Sequence, residues 1–328
     1  MKLRRFLIGA DPEFLFGYTH EWTWQRVNAT VFLQGENRLT NFIGTDGHAS
    51  TAELRPRPSH NLGRILGDLA FALSMCHKRA AVEKQGLFAA PLIEGESLGG
   101  HIHLSFSVDD AAQVNLLRRG WYHDGTRLVT LGATTSLEDF TGLQECLYKV
   151  VIGNAVSPLL VTAQLDYLLL PLEYWLQPWY HRLQRNRSYG VGGDVMRIGH
   201  TMVPPSPGSS EVRWHLEYRR PSTWLQHPAV AFAYLGTAKI VLLNWEKIRE
   251  NIRWPPDPVP PGPAKPDNER WFHVFSDRLS HLMTKTPTLT PDLHNYRETV
   301  LGLLREKRNE ILNPTLPIDI EAWRRLVP

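Results

Sequence analysis

The sequence predicts an α+β protein, a sheet with helices packed against it, and three observations predict it. Short runs that alternate apolar and charged residues recur from the N-terminus to about position 220. Between them lie longer stretches with apolar residues at helical spacing. A proline-rich stretch then leads into a segment that is helical in pattern throughout.

Taken in order, strands are expected over 5–16, 22–33, 51–57, 88–94, 99–107 and 211–220. Helices are expected over 60–85, 136–165, 173–185 and 227–251. In 60–85 the stripe is Leu62, Ile65, Leu66, Leu69, Leu73 and Cys76. The apolar tract "AVAFAYLGTAKIVLL" is interrupted by Lys239, is too short to span a bilayer, and reads as a buried core helix. "WPPDPVPPGPAKP", 254–266, is an extended, semi-rigid linker. Beyond it, Trp271, Val274, Phe275, Leu279 and Leu282 form one stripe, and Leu293, Tyr296, Val300 and Leu304 another. The expected organisation is a sheet-containing domain 1–253, a linker 254–266 and a C-terminal helical segment 267–328. Those helices should pack on the larger domain or on a second subunit of a homo-oligomer.

The 328 residues suffice for one large domain or two ordinary ones. With 42% hydrophobic and 21% charged residues, the composition is that of a soluble globular protein. A net charge of +3 gives no indication of a nucleic-acid partner. Cys76 and Cys146 make neither a disulfide framework nor a metal knuckle, which points to a reducing, cytoplasmic setting. The apolar run after "MKLRR" is too short for a signal peptide, and no membrane association is expected.

The informative pattern is strand parity, since residues two apart share a face. In "GADPEFLFG", Asp11 and Glu13 lie opposite Ile8, Ala10, Pro12 and Phe14. In "TAELRPRP", Glu53, Arg55 and Arg57 lie opposite Ala52 and Leu54. In "GGHIHLSF", His101, His103 and Ser105 lie opposite Ile102, Leu104 and Phe106. In "EVRWHLEYRR", Glu211, Arg213, His215, Glu217 and Arg219 line one side. A solvated sheet face would carry Lys, Thr, Gln and Ser; these four carry mostly Asp, Glu, His and Arg. Clustered carboxylates raise one another's pKa unless cations sit among them. Many carboxylates, few histidines and no nearby thiolate favour Mg²⁺ or Mn²⁺. The arginines add sites for phosphate or carboxylate. No G-x-x-x-x-G-K-[ST] or G-x-G-x-x-G loop offers a rival phosphate cradle. "YGVGGDVMR" is glycine-rich without that spacing, and Asp46 in "GTDGHA" also suits a turn.

Five motifs in order carry a resemblance. They are "GADPEF", "GTDG" with Glu53 seven residues after Asp46, "GGHIH", "RSYGVGGDVMR" and "LEYRRPS". Over roughly residues 7–225 the chain resembles the phage-type COOH–NH2 ligases (amidoligases) of the glutamine synthetase and glutamate–cysteine ligase superfamily. The resemblance implies a curved antiparallel sheet with helices on its outer side, ATP and divalent ions on the concave side, and ligation of a carboxylate to an amine through an acyl phosphate. By motif, Glu13, Asp46 and Glu53 look like ligands of one ion, and Asp11, His101 and Glu217 of a second. Asp11 stands where glutamate–cysteine ligases have a glutamate. Arg219 looks like the arginine that meets the transferred phosphoryl group; Arg197 and Arg187 look like further phosphate or carboxylate contacts. His103 lines the funnel or contacts substrate, and Arg55 either contacts substrate or pairs with a neighbouring carboxylate.

Two rival readings use the same residues. A metal-dependent hydrolase or cupin-type oxygenase would be built on His101 and His103, but Ser107 stands where a cupin wants its glutamate. A non-catalytic phage-associated binding protein could keep the fold, though it has no reason to keep repelling carboxylates together.

Overall fold

The computed structural model describes residues 6–20, 23–29, 42–45, 50–90, 92–93, 96–108, 158–176, 196–200, 212–244, 268–284, 293, 295–311 and 317–325. Its strands are β1 Phe6–His20, β2 Thr23–Arg26, β3 Ile43–Thr45, β4 Thr51–Leu54, β5 Gly86–Phe88, β6 Leu92–Ile93, β7 Glu96–Ser97, β8 Gly100–Val108, β9 Met196–His200 and β10 Val212–Tyr218. Its helices are α1 Leu62–Val82, α2 Pro158–Leu176, α3 Pro228–Leu243, α4 Asn268–Thr284, α5 Tyr296–Glu306, α6 Arg308–Ile311 and α7 Ile320–Arg325. The fold is α+β, as the patterns predict. An open sheet runs in the order β3-β4-β1-β8-β10-β9, with β2 and β5 also paired to β1. The pairs β1–β2, β1–β4, β1–β5, β3–β4 and β9–β10 are antiparallel.

Several elements differ from the sequence expectation for identifiable reasons. The strand expected to reach residue 57 ends at Leu54. Arg55 still donates its N–H to the Phe42 carbonyl at 2.6 Å, but Pro56 has no N–H to continue a ladder. The expected strand 88–94 is two pieces: β5 on the main sheet, and β6 paired with β7 in a separate ribbon. Of the expected strand 22–33, residues 23–29 are described, and among them Thr23–Arg26 is strand. The break expected between helices 136–165 and 173–185 does not occur, because α2 runs unbroken through it with Pro171 inside. Its side chains from Gln164 to Trp175 are buried apart from Tyr167, and that burial outweighs the local cost of a proline. The linker 254–266 and Cys146 lie outside the described residues.

Other elements follow the patterns closely. In α1 the side chains Leu62, Ile65, Leu66, Leu69, Leu73 and Cys76 are all buried. Asn61 caps its N-terminus by accepting from the Arg64 N–H at 3.2 Å. Lys84, in the left-handed region at φ 55°, follows its end. The apolar tract is α3, with Lys239 itself buried. Among the described residues no helix is long and apolar enough to cross a membrane.

The chain forms two compact units. One comprises Met1–Ile8, His103–Arg220 and Thr237–Thr288; the other comprises Gly9–Ile102, Pro221–Gly236 and Leu289–Pro328. In the first, α4 packs on α2. Tyr174 meets Trp271 with ring centroids 4.8 Å apart, and Trp175 meets Phe272 at 4.9 Å. Arg278 lies 3.9 Å from the Tyr167 ring centre. In the second, α7 packs on α1, and Trp323 donates its indole N–H to the Leu225 carbonyl at 3.1 Å. Tyr296 donates its hydroxyl to the Ala233 carbonyl at 2.7 Å, and the Ile318 N–H reaches the Leu87 carbonyl at 2.8 Å. Both C-terminal stripes therefore face protein: Phe275, Leu279 and Leu282 are buried in one, and Leu293, Tyr296, Val300 and Leu304 in the other.

Candidate active site

The second unit holds the first group of acids. Antiparallel pairing of β1 with β4 sets Glu13 directly opposite Glu53. Opposed residues of an antiparallel pair project on the same side, so the two carboxylates share one face. They are 5% and 8% exposed, far from the solvation that would make two neighbouring anions tolerable. Each meets a donor. Glu13 Oε2 accepts the Gly99 N–H at 2.5 Å, and Glu53 Oε1 accepts Arg55 Nε at 2.5 Å.

The double glycine of "GGHIH" explains how Glu13 is held. The Glu13 N–H donates to the Gly99 carbonyl at 2.9 Å, while the Gly99 N–H returns to the Glu13 side chain. Gly99 also bridges to Ser222, and the Gly100 N–H donates to the Pro221 carbonyl at 2.9 Å. Thr223 adds its hydroxyl to the Glu13 carbonyl at 2.6 Å, and the Trp224 indole N–H reaches the Gly100 carbonyl at 2.9 Å. The "GGH" and "PST" segments are thus one buried junction around Glu13. A Cβ on Gly99 would sit 3.0 and 3.1 Å from His101 Cδ2 and Cε1, so the glycine leaves the space that the imidazole fills. His101 is buried, and its Nδ1 lies 3.3 Å from Asp11 Oδ1.

Beside these, Arg57 is absorbed by structure. Its fork donates to Asp68 of α1 at 2.9 and 2.6 Å, and its backbone N–H donates there at 3.1 Å. The hydrogen bonds from Arg57 hold the Asp68 carboxyl below its ordinary range, against the opposing effect of burial.

In the first unit, strand β10 delivers a different group. Glu217 and Arg219 are two apart and pair, Arg219 Nε to Glu217 Oε1 at 3.2 Å. Arg219 lies one residue beyond the strand end and is buried. On the alternate positions, Tyr218 donates its hydroxyl to Asp166 Oδ1 at 2.6 Å. Arg220 donates to both Asp166 oxygens, at 2.7 and 2.8 Å. Burial, and then the Asp166 charge, push the Tyr218 phenol well above its ordinary value. Arg220 is held above its own: burial opposes its charge, but Asp166 and Tyr218 outweigh it. The sequence reading missed this network. Its one signal was the second arginine of "EYRR", on the face opposite Glu217.

The remaining expected residues are placed only in part. Arg197 is on β9 opposite Glu217 in the register with β10. His103 is on β8 and half-buried. Asp46 and Arg187 lie outside the described residues. The donor set, oxygen-rich with one imidazole, suits a hard divalent ion held by buried carboxylates.

Neither a scan against protein-family models nor a search of curated proteins finds a match. Among solved structures, a protein described as a novel glutamine synthase homolog aligns over 98% of this chain and 70% of its own, at 15% identity and a TM-score of 0.46. A bifunctional glutathione synthetase from Pasteurella multocida aligns over 99% of this chain and 52% of its own, at 14% identity and a TM-score of 0.43. Plasmodium falciparum glutamine synthetase aligns over 94% and 74%, at 9% identity and a TM-score of 0.40. The chain spans about half the length of the glutathione synthetase, 52%.

Proposed function

We propose that this chain is an ATP-dependent carboxylate–amine ligase that forms an amide or peptide bond through an acyl phosphate, with Mg²⁺ or Mn²⁺ bound on the charged face of the sheet. Its substrates are ATP, a carboxylate and an amine. The observation that carries this reading is the pair Glu13 and Glu53, two buried acids set opposite each other by strand register. Five motifs in the order of the amidoligases support it. Every residue named for the site falls within 1–253, the proposed catalytic region.

Glu13 and Glu53, with Asp46 as the motif implies, would hold one ion. By the same motif reading, Asp11, His101 and Glu217 are ligand types suited to a second. Bound there, the ions would neutralise phosphate oxygens and lower the repulsion between ATP and an approaching carboxylate. The Gly99 junction keeps Glu13 from turning away from that task. Arg219, held beside Glu217, would take the phosphoryl group as charge builds on it during transfer. Arg197, Arg187 and His103 are assigned to phosphate or substrate contacts, and Arg55 to substrate contact once released from Glu53.

The test is a product analysis. The protein is incubated with ATP, Mg²⁺ and pools of amino acids and peptides, and nucleotides are quantified beside mass spectrometry for products formed by loss of water. ADP that rises when carboxylate and amine are both present is the expected result. AMP and pyrophosphate as the stoichiometric products would exclude an acyl phosphate route.

A further inference from the structure

We propose that Arg55 is a resident counter-cation that holds Glu53 in the metal-free protein and is displaced when a divalent ion binds. The inference rests on the reading that Glu13 and Glu53 hold metal, and adds a control on that site.

Two opposed buried carboxylates need positive charge nearby, whether or not an ion is bound. The chain supplies it from two residues beyond Glu53. Arg55 Nε donates to Glu53 Oε1 at 2.5 Å, and Arg55 Nη2 pairs with the same oxygen. The guanidinium has a shaped seat. Gly44 of β3 is the register partner of Glu53, and a Cβ on Gly44 would lie 2.5 and 2.6 Å from the two terminal guanidinium nitrogens. Any residue but glycine at 44 would push the fork off.

The seat also has an exit. The Arg55 side chain is 48% exposed while that of Glu53 is 10% exposed, so the arginine can turn into water without opening the sheet. Its backbone stays fixed by the hydrogen bond to Phe42. Arg57 is built differently: its fork takes both oxygens of Asp68, and its own N–H adds a third bond. One arginine of "LRPRP" is thus committed to structure, and the other sits on an oxygen that a metal would take. Ion entry then exchanges one cation for another at Glu53 Oε1.

The experiment is Mn²⁺ titration by calorimetry on the full chain and on Arg55→Gln, Gly44→Ala and Glu53→Gln, each checked for fold by circular dichroism. Arg55→Gln and Gly44→Ala should each bind Mn²⁺ about fivefold more tightly, matching the modest worth of a half-exposed pair. Gly44→Ala is the decisive variant, because it evicts the guanidinium while keeping its charge in the neighbourhood. The metal-free melting temperature of Arg55→Gln should fall, and saturating Mn²⁺ should restore it. Unchanged or weaker Mn²⁺ binding in both variants, with Glu53→Gln abolishing it, overturns the role of Arg55 and leaves the metal reading standing. Wild-type binding in Glu53→Gln overturns both.

Discussion

Arg278 donates from Nη1 to the Tyr167 carbonyl at 2.6 Å. That carbonyl is the one that Pro171, four residues on, cannot reach for want of an N–H. A helix from the C-terminal segment thus closes the gap that a proline opens in α2. Arg278→Met should destabilise the protein by about 1–2 kcal/mol, the cost of a part-buried acceptor losing this donor. In a Pro171→Ala background the same substitution should cost less, because residue 171 then donates to Tyr167 itself. Urea unfolding of the four proteins measures the coupling.

Asp166 carries the buried end of β10 on one side chain. Asp166→Asn removes the carboxylate charge that takes two bonds from the largely buried Arg220 fork, and should cost about 3–5 kcal/mol. Replacing both partners, as Asp166→Leu with Arg220→Met, should recover most of the loss, since two desolvated charges are then removed together. Melting temperatures of the single and double variants decide this. A single variant as stable as the parent would mean that Arg220 finds another carboxylate.

Arg219 and Glu217 pair, but their proposed tasks differ. Arg219→Ala should lower kcat by roughly 10²–10³ while nucleotide and Mn²⁺ affinity stay within about tenfold. Arg219→Lys should recover only part of the rate, because an ammonium lacks the planar fork. If the pair only braces the strand, stability and Mn²⁺ affinity should fall together and the rate loss should track the unfolded fraction. Melting temperature, Mn²⁺ affinity and single-turnover rate on one preparation distinguish the two.

His227 predicts a pH dependence. It is buried, its Nδ1 accepts the Ala229 N–H at 3.1 Å, and that N–H belongs to the first turn of α3. Burial lowers its pKa from the ordinary 6.5; Lys307 acts in the same sense, while Asp319, Glu310 and Glu306 oppose it. The unfolded chain therefore takes up the proton before the folded one does. The contribution to stability is complete above about pH 6.5 and is lost as pH falls through the folded value. Protonation at Nδ1 also removes the cap. Urea midpoints should fall on acidification below that point, and His227→Asn, which can still cap the helix without titrating, should give a flatter profile.

Strand parity made much of the candidate site legible. The period of two is a property of the backbone, so Glu13 and Glu53 could be assigned a face without knowing their neighbours. The stripe of α1 was readable for the same local reason. Partner choice was not legible. Arg55 and Arg57 are two apart in one short segment, yet one meets Glu53 and the other Asp68, because Pro56 ends the ladder and α1 brings a carboxylate to only one of them. Asp166 lay in an apolar run that gave no hint of Arg220, 54 residues away. The expected helices 136–165 and 173–185 left a gap around Pro171, and the helix runs through it because its side chains are buried and α4 supplies the missing donor. Local pattern fixes where a side chain points along its own element. Which charge it meets there depends on elements distant in sequence, and that is settled only when helices and strands pack and exclude water around the buried charges.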